Sequence, residues 1–152
     1  MSRGNTGLDR VTDSFSGLVR RFTASLASGD PDTAAQVIEE ALKGQRSLIE
    51  IYAQIIAPAL VSIGDSWCTG GIGVGDEHLA TQIVIEQMNR LRSLFITPEP
   101  RSPYRVLVGC IEGEQHFVGA RMITDLCLLR GWGVDFLGAN TPAKAVVEMA
   151  AR

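Results

Sequence analysis

The sequence predicts a helical bundle followed by the opening of a doubly wound parallel-sheet domain. Three observations carry that expectation: four amphipathic stretches at helical spacing, a proline cluster that ends them, and a strand, helix, strand, helix order beyond it. Val11, Phe15, Leu18, Val19, Phe22 and Leu26 form the first apolar stripe, which stops at Ser28-Gly29-Asp30. Asp30 has the character of an N-cap, with Pro31 at the first helical position of a second segment carrying Ala34, Val37, Ile38, Ala41 and Leu42. A third helix is expected from about Arg46 to Gly64, with Ile49, Tyr52, Ile56, Leu60 and Ile63 on one stripe and a kink at Pro58. A fourth runs from near Asp76 to about Phe95, and short loops between all four give bundle architecture.

Residues 97–103 hold three prolines in seven positions, which forbids helix and marks a connector between residues 1–96 and residues 104–152. Arg105 to Cys110 is then an almost continuous apolar run, as in a strand buried on both faces. Phe117 to Arg130 reads as helix, Trp132 to Leu137 as strand, and Pro142 to Arg152 as the start of another helix. This order implies parallel strands with crossover connections. A stable doubly wound sheet usually needs about five strands, so the second domain reads as incomplete, finished either by more of the same chain or by a partner chain.

Composition narrows the function. The chain has 152 residues, 45% of them hydrophobic and 20% charged, with a formal charge of −3. That balance is a poor electrostatic footprint for nucleic acid. Cys68, Cys110 and Cys127 are odd in number and lack CxxC spacing, which argues against a disulfide framework or zinc site and fits a reducing cytoplasm. The first ten residues are polar, and no stretch reads as the ~20 apolar residues of a membrane span.

The two histidines of the chain, His78 and His116, each sit in a compact polar cluster. Glu114, His116 and Gly119 fall between the first strand and the helix after it, where parallel sheets bind ligands. A neutral imidazole suits a borderline transition metal, and Glu114 can hold its other ring nitrogen. Gly119 would let a bulky ligand approach the helix start. One histidine cannot secure a bare ion, but it can supply one axial bond to a metal held by a macrocycle. In the bundle, Trp67 ends the third helix, and Glu77 begins the apolar stripe of the fourth beside His78. A flat indole can cover a flat ligand, and a carboxylate on the buried side needs a partner. The plainer readings are a charged first helical turn for Glu77-His78, packing roles for Trp67 and Trp132, and small apolar roles for Cys110 and Cys127. Gly70, Gly71, Gly73 and Gly75 lack the Lys-Ser/Thr of a phosphate loop and read as a flexible connector.

On these residues the chain resembles the cobalamin-binding proteins, in particular their CarH-like light-sensing branch, from the second helix onward. Glu114-x-His116-x-x-Gly119 is similar to that branch's form of the family's D-x-H-x-x-G signature, and Trp67 followed after nine residues by Glu77-His78 resembles its helical cap motif. Leu137 to Pro142 resembles the family's second strand and loop. The resemblance implies a four-helix cap joined to a Rossmann-like cobalamin domain, with His116 displacing the benzimidazole as lower axial ligand to cobalt. It implies that Trp67, Glu77 and His78 shield the upper face, with adenosylcobalamin favoured over methyl- or hydroxocobalamin. The branch places a histidine after the cap tryptophan where this chain has Cys68, a residue that can itself serve as an upper cobalt ligand. The branch's nucleotide-tail elements would lie beyond Arg152, and no helix-turn-helix precedes the bundle. The expected function is therefore a cytoplasmic, non-enzymatic sensor, homo-oligomeric, acting on a protein partner such as a transcription regulator without binding DNA or membrane itself. A corrinoid carrier of a methyltransferase system is the alternative, and a degenerate bundle kept for oligomerisation is a third reading.

Overall fold

The computed structural model describes residues 7–97, 99 and 101–151, with side chains from residue 15 onward. The element order is α1 (Gly7–Ala27), α2 (Pro31–Lys43), α3 (Leu48–Cys68), α4 (Val74–Phe95), β1 (Arg105–Val108), α5 (Val118–Leu129), β2 (Gly133–Phe136) and α6 (Ala143–Ala150). The chain divides into two compact units, Met1–Met88 and Asn89–Arg152, with the division inside α4. Pro98 and Pro100 of the expected connector, and the Val11 side chain of the first stripe, lie outside the described residues.

The first unit is helical for reasons its sequence states. The Asp30 side chain accepts from the Thr33 N–H at 3.0 Å and caps α2, with Pro31 in the first turn. Ser47 and Glu50 form a reciprocal capping box at the start of α3. The core collects Leu18, Phe22 and Leu26 from α1, Val37 and Ile38 from α2, Ile55, Ile56 and Ile63 from α3, and Ile83, Val84 and Met88 from α4. Each such buried side chain contributes about 1.5–3 kcal/mol.

The expected stripe of α3 is corrected. Its buried face is Leu48, Ile51, Tyr52, Ile55, Ile56, Ala59 and Ile63, whereas Ile49 is exposed and Leu60 only half-buried. The accommodation of Pro58 lies upstream of it, as a π turn at Tyr52–Ile56 closed by the Ala57 N–H to the Tyr52 carbonyl. Proline has no N–H for the carbonyl four residues before it, and a widened turn absorbs that mismatch without ending the helix. The helix consequently runs on to Cys68. Leu48–Cys68 is also long and apolar enough, by length and composition, to cross a membrane, contrary to the sequence expectation. Seven of its side chains build the bundle core, as in the central helix of any such bundle.

The second unit has β1 and β2 parallel, with Val106 opposite Val134 and Val108 opposite Phe136, and α5 packs on both strands. Arg105 and Asp135 join the strands through two hydrogen bonds of 2.7 Å. Burial of β1 on both faces is not realised: Arg105 is exposed and Val106, Leu107 and Val108 are half-buried. With two strands, each is an edge, and α6 buries none of its side chains. The helical end of this unit holds a polar cluster. Asp125 on α5 is wholly buried, 3.4 Å from Arg92 of α4, and Arg121 donates to Asn89.

Candidate functional site: two carboxylate-held imidazoles

The loop after β1 is built against the loop after β2. The Cys110 N–H donates to the Gly138 carbonyl and the Thr141 N–H to the Cys110 carbonyl, both at 2.9 Å, and Ile111 bridges Thr141 in parallel fashion. The two backbones come close enough at Gly109 that a Cβ there would lie 3.1 Å from the Leu137 Cβ. Beyond this anchor, residues 111–116 are exposed and lead to Phe117, the uncapped N-terminal flank of α5. The Glu114 N–H turns back onto the Ile111 carbonyl at 3.0 Å, so His116 stands at the carboxyl end of β1, ahead of the helix.

Glu114 and His116 meet as the spacing suggests. Glu114 Oε1 lies 2.6 Å from His116 Nδ1 and also accepts the His116 backbone N–H at 2.7 Å. Those bonds, the backbone one foremost, hold the Glu114 carboxyl below its ordinary value, so it is ionised at neutral pH. An ionised carboxylate only accepts, which fixes the proton on Nδ1 and leaves the lone pair on Nε2. The side chain of His116 is 86% exposed. Such a geometry can offer Nε2 as a nitrogen donor. Gly119 agrees with it. In the first turn of α5, a Cβ on Gly119 would meet nothing within 4 Å, so no packing inside the chain asks for glycine there. Thr141 Oγ1, buried beside the same loop, has no hydrogen-bond partner among the described residues.

The helical unit repeats the arrangement. Trp67 occupies the last turn of α3, 44% exposed, and Cys68 follows it as an exposed free thiol. The Gly70-Gly71 turn reverses the chain, with Gly70 at φ +77° and Gly71 pressed against Ser66. Asp76 Oδ2 accepts from the Gly73 N–H at 2.9 Å, reaching back to cap α4, which therefore starts two residues before the expected Asp76. His78 Nδ1 is 2.7 Å from Glu77 Oε2, and the Thr81 hydroxyl donates to Glu77 Oε1 at 3.0 Å. Glu77 keeps 26% of its side chain exposed and His78 74%. Again a carboxylate holds Nδ1 and Nε2 faces outward. Among the described residues, no three histidine, cysteine, aspartate or glutamate side chains converge as a metal cage. Each imidazole is a single donor, suited to a metal already chelated.

The model of the B12 binding domain family matches residues 18–92. Residues 18–92 of the chain are a B12 binding domain. Over 132 residues it is 30% identical to the HTH-type transcriptional repressor CarA of Myxococcus xanthus, covering 85% of this chain and 42% of that protein. It is 23% identical over 140 residues to trimethylamine corrinoid protein 1 of Methanosarcina acetivorans, covering 88% of this chain and 62% of that protein. Among solved structures, the monomethylamine corrinoid protein of Methanosarcina barkeri superposes with a TM-score of 0.72 at 19% identity, over 92% of this chain and 64% of that one. At that identity the likeness shows the fold, a helical cap followed by a Rossmann-like parallel sheet. The chain spans less than two thirds of the length of each of these proteins.

Sequence reasoning singled out both histidine clusters but passed over Asn140. Its side chain and main chain both bond the His116 loop, and its φ of +50° is rare outside glycine. An asparagine two residues before a proline was the available signal, since asparagine tolerates left-handed turns.

Proposed function

We propose that this B12 binding domain is a cobalamin-binding sensor module rather than a catalyst. His116 Nε2 would supply a nitrogen donor to the cobalt of the cofactor, with Glu114 holding the ring and its tautomer and Gly119 leaving room for the cofactor at the start of α5. The observation that carries the reading is the exposed His116 ring with Nδ1 tied to Glu114 at 2.6 Å. Trp67, Glu77 and His78 would shield the bound cofactor, with the Cys68 thiol as an alternative cobalt ligand. Adenosylcobalamin is the favoured form, supplying a cobalt–carbon bond that light can break. Packing around Trp67 would then depend on the state of that bond. The response passes by protein contacts, in a homo-oligomer, to a partner such as a transcription regulator, while this chain itself does not contact DNA. Likeness to a transcriptional repressor at 30% identity supports the regulatory reading.

The second reading, a corrinoid carrier serving a methyltransferase, draws on the fold of the monomethylamine corrinoid protein. One experiment separates the two. The chain is mixed in the dark with adenosylcobalamin, its visible spectrum recorded, and the sample illuminated. The sensor reading expects a spectrum distinct from free cofactor and a light-driven change in both spectrum and oligomeric mass. Free-cofactor spectra before and after illumination would overturn it, and methyl uptake from a partner methyltransferase without any light response would favour the carrier.

A further inference from the structure

Residues 113–116, which carry the His116 donor, have few ties to the body of their unit. The Glu114 N–H and the Phe117 N–H bond within the loop, and the Glu114 carboxylate turns onto His116. A long contact from Cys110 Sγ reaches the His116 carbonyl at 3.8 Å. The two remaining bonds go to one residue on the neighbouring loop. The Gly113 N–H donates to Asn140 Oδ1 at 2.8 Å, and the Asn140 N–H donates to the Glu114 carbonyl at 2.9 Å. Gly113 is at φ +90° and Asn140 at φ +50°, so both ends of this clasp use backbone that L side chains rarely adopt. Asparagine is among the few non-glycine residues that hold it, because its short amide bonds locally. Thr141, next in the chain, is anchored to Cys110, which fixes the clasp relative to β1.

We propose that Asn140 is a positioning residue for the axial imidazole: it sets the Gly113–His116 loop in its donor geometry before any cofactor arrives. A donor held by its surroundings loses less freedom on binding than one on a loose loop, so the clasp should appear as affinity. The proposal rests on the reading of His116 as the cobalt ligand.

The test uses the full chain, as wild type, Asn140→Gly and Asn140→Asp. Glycine keeps the left-handed backbone and removes the side-chain acceptor, whereas aspartate keeps both. Two readouts are taken: amide hydrogen exchange at Gly113 without cofactor, and hydroxocobalamin affinity by equilibrium dialysis with the histidine-bound fraction read from the visible spectrum. Loss of one such hydrogen bond corresponds to about tenfold. Asn140→Gly should speed Gly113 exchange and weaken hydroxocobalamin binding by about that factor, with an unchanged melting midpoint, and Asn140→Asp should behave as wild type. Unchanged Gly113 exchange in Asn140→Gly, or faster exchange with unchanged affinity, overturns the proposal. If the wild type binds hydroxocobalamin without a histidine signature, the ligand reading fails on its own, and Gly113 exchange alone then decides whether Asn140 is the clasp.

Discussion

Replacing Glu114 tests whether the carboxylate presets the imidazole. Its Oε1 accepts two bonds, from the His116 ring at 2.6 Å and from the His116 backbone at 2.7 Å. In Glu114→Gln the amide oxygen can still accept both of them, but without charge, and such bonds are roughly half as strong. In Glu114→Ala both are lost and the ring is free to rotate and to change tautomer. Removing the partner that orients a metal-bound histidine costs about 10- to 100-fold in affinity. Exposure of this pair puts Glu114→Gln at the low end, near tenfold, and Glu114→Ala toward the high end, near 100-fold. Equilibrium dialysis against hydroxocobalamin measures both, and circular dichroism checks that helix content is retained. Wild-type affinity in Glu114→Ala would refute the argument, as would equal losses in the two variants, because the gradation follows from the two bonds.

Gly119→Ala should separate stability from binding. The added Cβ meets open space, so the free chain gains up to about 1 kcal/mol of helix stability while hydroxocobalamin affinity falls roughly tenfold or more; unchanged affinity would remove Gly119 from the site. Asp125→Ala strands Arg92, whose side chain is 41% exposed, so the cost is about 2–3 kcal/mol, below that of a fully buried pair. That amounts to roughly 4–12 °C in a thermal melt, and a drop under about 2 °C would contradict the role given to the pair. Acid should destabilise the chain only late. Hydrogen bonds from Thr33 to Asp30, from Ser47 to Glu50, from His116 to Glu114 and from Arg105 to Asp135 hold these four carboxyls below 3.8 for the aspartates and 4.5 for the glutamates. Their stabilisation is complete above those unfolded values and is lost as pH falls through the lower folded ones. Denaturant midpoints should hold from neutrality to about 4.5 and fall below it, and a decline beginning near neutrality would contradict the assignment.

Local rules made the helices legible. Asp30 with Pro31, and Ser47 with Glu50, are start signals complete within four residues, and both caps form as written. The pairing of Glu114 with His116 was legible for the same reason, being a contact between near neighbours in sequence. What escaped depends on distant residues or on the choice between neighbouring apolar stripes. Leu48 and Ile51, not Ile49, belong to the buried face of α3, and periodicity fits either stripe and does not register the π turn before Pro58. Asp125 sits in an α5 sequence that reads as apolar, and its partner Arg92 comes from another helix. Asn140 bonds a glycine 27 residues away, so its neighbours in sequence signal a turn but not the partner it clasps. The half-exposure of β1 follows from a sheet of two strands, which a run of apolar residues does not count.

The account stands on the His116 ring nitrogen as the donor beneath cobalt. Electron paramagnetic resonance of the chain loaded with cob(II)alamin tests this directly, with histidine carrying either ordinary or heavy nitrogen. An axial nitrogen from histidine splits the cobalt lines into triplets with the ordinary isotope and doublets with the heavy one. The account predicts that switch in the wild type and in His78→Ala, and its disappearance in His116→Ala. Triplets that persist with labelled histidine would show the cofactor's own base still bound, and would contradict it.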